Sequence, residues 1–142
     1  MKTSIKIGRL RKLISFMEKL PPEKAEHFNM RGWVRHDDTT HKHKAKYVTQ
    51  RLLNTCGTTA CALGWATVIP EFQRAGLRMS PNLDFYVGKS GSILPLDASE
   101  QFFGLTNNQH SALFESWVPG EEENPKAWAA KARRLLKEWT GR

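Results

Sequence analysis

Cys56-Gly57-Thr58-Thr59-Ala60-Cys61-Ala62-Leu63-Gly64-Trp65-Ala66 is the stretch on which the reading of this 142-residue chain turns. Thr58 or Thr59 can accept hydrogen bonds from the free N–H groups that open a helix. After them Ala60, Cys61, Leu63, Trp65, Val68 and Ile69 leave almost no polar face. A helix apolar nearly all round is buried on most of its sides, so a central buried helix is expected to begin near Thr58. Gly64 in its middle costs roughly 1 kcal/mol relative to Ala, a cost most easily understood where another backbone packs closely. Pro70 then opens a new turn, with Gly76 as its C-terminal stop.

Upstream, Ser4 to Leu20 reads as an amphipathic helix. Ile7, Leu10, Leu13, Ile14, Met17 and Leu20 recur at three- and four-residue spacing, with Lys6, Arg9, Lys12 and Lys19 mostly off that stripe. Pro21-Pro22 ends it, and Pro22 can open a short helical turn through Glu26. Phe28 to Val34 supplies apolar anchors without a period. Arg35 to Lys46 is polar and reads as an exposed loop, and Tyr47 to Leu53 as a short strand or helical turn.

Downstream, Leu83–Val87 and Ile93-Leu94 flank Gly88-Lys89-Ser90-Gly91-Ser92 and read as a small β-hairpin. Two short helices follow, because Asp97 with Glu100 and Thr106 with Gln109 both match the capping-box spacing; Gly104 separates them. Asn124-Pro125 starts a last helix with Trp128, Ala132, Leu135, Leu136 and Trp139 on its apolar face. The expectation is one domain, 1–142, mostly α, with about five helices around the buried central one and one small hairpin; α+β is the alternative.

Composition narrows the function. Five Trp and seven Phe can build one ordinary core. No apolar run of about 18 residues exists, so no transmembrane helix and no membrane partner are expected. The basic start Met1–Lys6 leads into amphipathic, charged sequence rather than an apolar block, so a cytoplasmic protein is expected. Two cysteines are too few for a disulfide framework or a four-cysteine zinc site. Residues 1–55 hold thirteen Lys/Arg against five Asp/Glu, a net +8, whereas residues 56–142 hold nine against nine. Such a basic N-terminal part attracts phosphates or acidic protein surfaces, and the attraction weakens with salt.

Three candidate sites follow. Cys56 at the start of a helix would meet N–H groups and a positive dipole end, which lower a thiol's pKa. Papain-like cysteine hydrolases use this arrangement, and the spacing Gln50…Cys56-Gly57 looks like that of the bacteriocin-processing peptidases. In that reading Cys56 is the nucleophile, Gln50 helps to bind the oxyanion, and His110 is the base, oriented by Asn107, Asn108 or Asp97. The plain alternative is packing, since free Cys is among the most buried residue types. The second candidate is a metal site at His36, His41 and His43 with Asp37 and Asp38. Lys42, Lys44 and Lys46 are interleaved there and repel a dication, so a solvated loop is favoured and no metal or cofactor is expected.

The third candidate is a surface for nucleic acid, a nucleotide or an acidic protein, formed by Lys6, Arg9, Lys12, Lys42, Lys44, Lys46 and Arg51, with Trp33 or Tyr47 for stacking. The helix pair 97–105 and 106–117 superficially resembles a helix-turn-helix, but its second helix offers Asn107, Asn108 and Gln109 and no cation. Phosphate loops, paired-carboxylate signatures, Gly-x-Ser-x-Gly and His-Glu-x-x-His are absent from the sequence.

Several of these motifs occur together in a resemblance. Leu20-Pro21-Pro22, Phe28-x-Met30-x-x-Trp33, Cys56-Gly57-Thr58-x-x-Cys61-x-x-Gly64 and Phe102-Phe103-Gly104-Leu105 resemble a loosely defined group of small bacterial and phage proteins, over about residues 10–117. The group brings no function that can be carried over. The basic loop from His36 to Lys46 departs from its usual spacing and is a place for activity particular to this chain. The reading is a non-enzymatic basic binding protein, encoded by a phage or mobile element and acting in the bacterial cytoplasm, with an anti-defence role by association. A cysteine-dependent hydrolase or transferase is the alternative.

Overall fold

A computed structural model describes residues 5–25, 28, 35–36, 58–59, 61–79, 85–89, 91, 93–117, 119–121 and 123–141. Helix α1, Ile7–Glu18, buries Leu10, Leu13, Ile14 and Met17, the stripe that its periodicity marks. No side chain caps its start; instead the Lys6 N–H donates to the Phe103 carbonyl at 2.8 Å, so a tertiary bond fixes where it begins. The Leu-Pro-Pro stop holds, and α2, Pro22–Ala25, is the short turn that follows.

The Cys56–Ala66 stretch folds differently from its expectation. Thr58–Thr59 form a strand, β2, paired antiparallel with β1, Arg35–His36, in the register Arg35 to Thr59 and His36 to Thr58. Two consecutive β-branched residues favour the extended state, and pairing with a segment distant in sequence lets them keep it. Helix α3 is therefore only Ala62–Ala66, with Cys61 as its extended N-cap residue. Every residue from Cys61 to Ile69 is buried, as expected of that part of the segment, and Ala60 lies outside the described residues. Beyond α3, the Thr67 hydroxyl donates to the Gly64 carbonyl at 2.6 Å and Gln73 Nε2 donates to the Thr67 carbonyl at 2.9 Å. The second bond satisfies a backbone acceptor just past the helix end, and the first adds to the Thr67 N–H already on the Gly64 carbonyl.

Helix α4, Pro70–Arg74, starts at its proline as expected. The expected strand within Leu83–Val87 is present, but its ladder partner lies upstream. Strand β3, Leu77–Met79, pairs with β4, Phe85–Val87, while Ile93 reaches Phe85 only through a single bridge. Gly76 makes the corner: its φ is +105°, and a Cβ there would lie 2.7 Å from the Gly88 nitrogen. That nitrogen donates to the Gly76 carbonyl at 2.9 Å, so the two backbones meet where no side chain fits.

The Asp97 capping expectation is also corrected. Helix α5, Pro95–Ala98, has Leu94 as its N-cap, and Asp97 lies inside its first turn. Proline already supplies the fixed φ and missing N–H that suit the first helical position. A π-helical turn, Ser99–Phe103, continues α5, and Gly104 in the left-handed region (φ 71°) ends it. Helix α6, Asn107–Phe114, has the expected Thr106–Gln109 capping box with both reciprocal bonds. Helix α7, Pro125–Thr140, is capped by the Asn124 side chain on the Ala127 N–H at 3.0 Å.

The fold is mostly helical with small antiparallel β pairs. One core gathers α1, α3, α4, the π turn, α6 and α7. An aromatic relay runs through it: Phe72 meets Phe102 and Phe103 edge-on, Phe103 meets Phe114, and Phe114 stacks on Trp128 at 6.1 Å. No helix among the described residues is long and apolar enough to cross a membrane.

Candidate functional site

The catalytic candidates divide. Cys56 and Gln50 lie outside the described residues. Cys61, the other thiol of the motif, is wholly buried, and burial pushes its pKa up to about 12. A thiol in that state is packing, not a nucleophile. His110 sits on α6 with 1% of its surface exposed. Its Nδ1 shares a hydrogen bond with the Ser99 hydroxyl at 2.7 Å, and its Nε2 lies 3.6 Å from a Glu115 carboxylate oxygen. Burial holds the imidazole below its ordinary pKa, against the opposing pull of Glu115. The hydroxyl of Ser99 is buried as well. This Ser–His–Glu line joins the π turn to the end of α6 across the aromatic relay. Its inner members have no open face for a substrate, so it reads as a polar tie.

Of the residues assigned to an anion-binding surface, Lys42, Lys44, Lys46, Arg51 and Trp33 lie outside the described residues. So do His41 and His43, and His36 is placed only as β1 backbone. Among the described residues no group of His, Cys, Asp or Glu is arranged to hold a metal. At the start of α1 and along it, the three remaining cations differ in state. Lys6 is exposed. Arg9 lies flat over the Phe102 ring, 4.1 Å from its centroid, and donates to the Phe102 carbonyl at 2.8 Å. It serves the fold. Lys12 pairs with Glu71 at 2.8 Å, both ends about half exposed, and such a pair is weak enough to exchange partners.

A second basic surface lies on α7, and the half-by-half charge count conceals it. Residues 56–124 hold three Lys/Arg against eight Asp/Glu, while residues 125–142 hold six against one. The zero net charge of the C-terminal part is thus an acidic stretch followed by a basic helix. At 100° per residue, Lys126, Arg133, Arg134 and Lys137 fall within roughly one 100° arc, opposite the buried Trp128, Ala129, Ala132 and Leu136. Arg133 is engaged: its Nε and Nη2 grip both oxygens of Glu18 at 2.6 and 2.5 Å, tying α7 to α1. The guanidinium holds the Glu18 carboxyl below its usual pKa. Lys126, Arg134 and Lys137 are exposed and pair with no carboxylate among the described residues.

Beside this face, the turn after α6 and the first half of α7 enclose a cleft of about 370 Å³. Trp117, Trp128, Ala127 and Ala130 give it apolar walls, and Ser116, Glu121, Lys131 and Arg134 complete the lining. Lys131 Nζ donates to the Ser116 carbonyl at 2.6 Å. Desolvation and the neighbouring Arg134 charge hold its pKa below the ordinary lysine value. Trp128 is a core residue whose indole N–H donates to the Leu113 carbonyl at 2.8 Å, so the wall it provides is rigid.

Compared with known proteins, the chain matches no family model, no curated protein and no solved structure. The site therefore rests on its own residues. Sequence reasoning missed the α7 surface and the cleft. A charge count taken over the last helix by itself, with its 3.6-residue period, would have found the first.

Proposed function

We propose that this chain is a binding module for an anionic macromolecule, a nucleic acid or an acidic protein surface, and not an enzyme. The observation that supports it is the face of α7, where Lys126, Arg134 and Lys137 stand exposed on one arc without a carboxylate partner among the described residues. Lys6, the exchangeable Lys12 and the basic run Lys42, Lys44, Lys46 and Arg51 extend the same attraction. Clustered solvated cations of this kind bind by displacing counterions, without a dedicated pocket. The setting in a bacterial cytoplasm, the phage or mobile-element origin and the anti-defence role belong to this proposal; they rest on the sequence resemblance and the basic charge.

The test is fluorescence anisotropy with a labelled oligonucleotide duplex, a labelled single strand and a labelled poly-glutamate peptide, each across a salt series. Affinity is expected to fall steeply with salt. It is also expected to drop at least about tenfold in the triple variant Lys126→Gln, Arg134→Gln, Lys137→Gln. Preference among the three probes identifies the partner class. Binding indifferent to both salt and neutralisation, or no binding at low salt, would overturn the proposal.

A further inference from the structure

We infer that the cleft between the turn after α6 and the first half of α7 is a binding site for a small planar aromatic molecule carrying one anionic group, a carboxylate or a phosphate. Size, wall chemistry and charge point the same way. A volume of about 370 Å³ falls in the range of small-molecule sites, which are apolar in their walls with a few placed polar groups. Trp117 is one of only two large hydrophobic side chains exposed among the described residues, at 38%. A Trp left in the open at the rim of a cleft offers a flat, polarisable surface suited to a ring. Trp128 backs the other wall and is locked by its bond to Leu113 and its stack on Phe114. That wall needs no reordering to receive a ligand, which lowers the entropic cost of binding.

Charge then selects the anion. Lys131 and Arg134 bring two positive charges to the lining against the one carboxylate of Glu121, and no ion pair joins Glu121 to either cation. One Lys131 N–H is committed to the Ser116 carbonyl, and an ammonium has two more to give. The Ser116 hydroxyl spends its one donor on the Ser111 carbonyl at 3.1 Å, so the side-chain donors left for a ligand are those of Lys131 and Arg134. Lys131 is half-buried beside a like charge. The opposite charge of an arriving anion offsets both the desolvation and the repulsion. Arg134 can hold a carboxylate or phosphate with two parallel N–H groups.

The site shares only Arg134 with the macromolecular surface proposed above, and the two readings can fail separately. The five indole N–H signals of the 15N-labelled protein, assigned by Trp→Phe variants, are followed during titration with AMP, indole-3-acetate, neutral indole and inorganic phosphate. Saturable shifts of the Trp117 and Trp128 signals are expected with at least one aromatic anion. Neutral indole and phosphate alone should bind at least about tenfold more weakly. AMP binding over indole-3-acetate assigns a phosphate, and the reverse order a carboxylate. Arg134→Gln, at an exposed position, is expected to weaken the preferred anion about tenfold, and Lys131→Gln by at least as much. The double variant Lys126→Gln, Lys137→Gln should leave it unchanged while weakening the macromolecular probes. The inference is overturned if neither anion moves those two signals. It is overturned equally if neutral indole binds as tightly as both anions, or if Arg134→Gln leaves the affinity intact.

Discussion

Helices α1 and α7 pack against each other, and with its flanking residues each carries five Lys/Arg and one Glu, yet the charge does different things on the two. On α1, Arg9 is laid over Phe102 and bonded to its carbonyl, and Lys12 is paired with Glu71. On α7, Arg133 alone forms an ion pair among the described residues, and Lys126, Arg134 and Lys137 are left to solvent. Equal counts thus conceal unequal availability. A cation stacked on a core aromatic is part of the packing, whereas a cation on a solvated arc can be lent to a partner.

The strongest way to break the contrast is to loosen the helix that presents the available charge. Trp128→Ala removes the stack on Phe114 and the bond to Leu113, and should destabilise the fold by about 3–5 kcal/mol in urea titrations. Polyanion binding should then be lost together with the folded state. Arg9→Gln comes next. It deletes a charge-assisted bond and a ring contact, so unfolding should become easier by about 1–2 kcal/mol. The salt dependence of polyanion binding should barely change, and an equal fall in binding would show that Arg9 is not committed to the fold.

Arg133→Gln is smaller, because the Glu18 pair is partly exposed and such pairs contribute about 0.2–1 kcal/mol. Its signature is in pH. The Glu18 carboxyl is depressed below the 4.5 of the free group by the Arg133 hydrogen bond first and its charge second. The pair's stabilisation is therefore fully present above about pH 4.5 and lost as pH falls through the depressed folded value. In Arg133→Gln this part of the acid limb should flatten when stability is followed by urea midpoint from pH 7 to 3. The smallest effect is expected at Lys12→Gln, which should leave the urea midpoint where it was, while polyanion affinity still falls. That outcome would separate Lys12, paired but exchangeable, from Arg9.

What was legible in the sequence was what neighbours in sequence decide. The stripe of α1, the apolar face of α7, Pro70, the Thr106–Gln109 box and the Asn124 cap each depend on residues within a turn or two, and each is present in the structure. Burial of Cys61 to Ile69 was legible because no polar side chain interrupts the segment except Thr67. The strand at Phe85–Val87 was legible within Leu83–Val87, but the pairing partners of the strands were not. Thr59 pairs with Arg35 and Leu77 with Val87, choices made by a partner that local preference does not name. The π turn was hidden for another reason: Asp97 and Glu100 satisfy a capping pattern, but Pro95 starts the helix first. The chemistry of His110 makes it a candidate base, and only tertiary packing shows it enclosed between Ser99 and Glu115. The cleft is assembled by the turn after α6 folding back on α7, so no single window of sequence contains it.

The grip of Arg133 on Glu18 joins residues 115 apart, and this bears on how the chain is made. Leu10, Leu13, Ile14 and Met17 leave the ribosome long before the helix that covers them exists. At synthesis rates of roughly 5–20 residues per second the wait is on the order of ten seconds. During that interval a nascent amphipathic helix offers its oily side to whatever is nearby, a chaperone included. Yield in the cell should accordingly depend on the pace of translation through the middle of the message, in a way that refolding of the finished chain would not reveal.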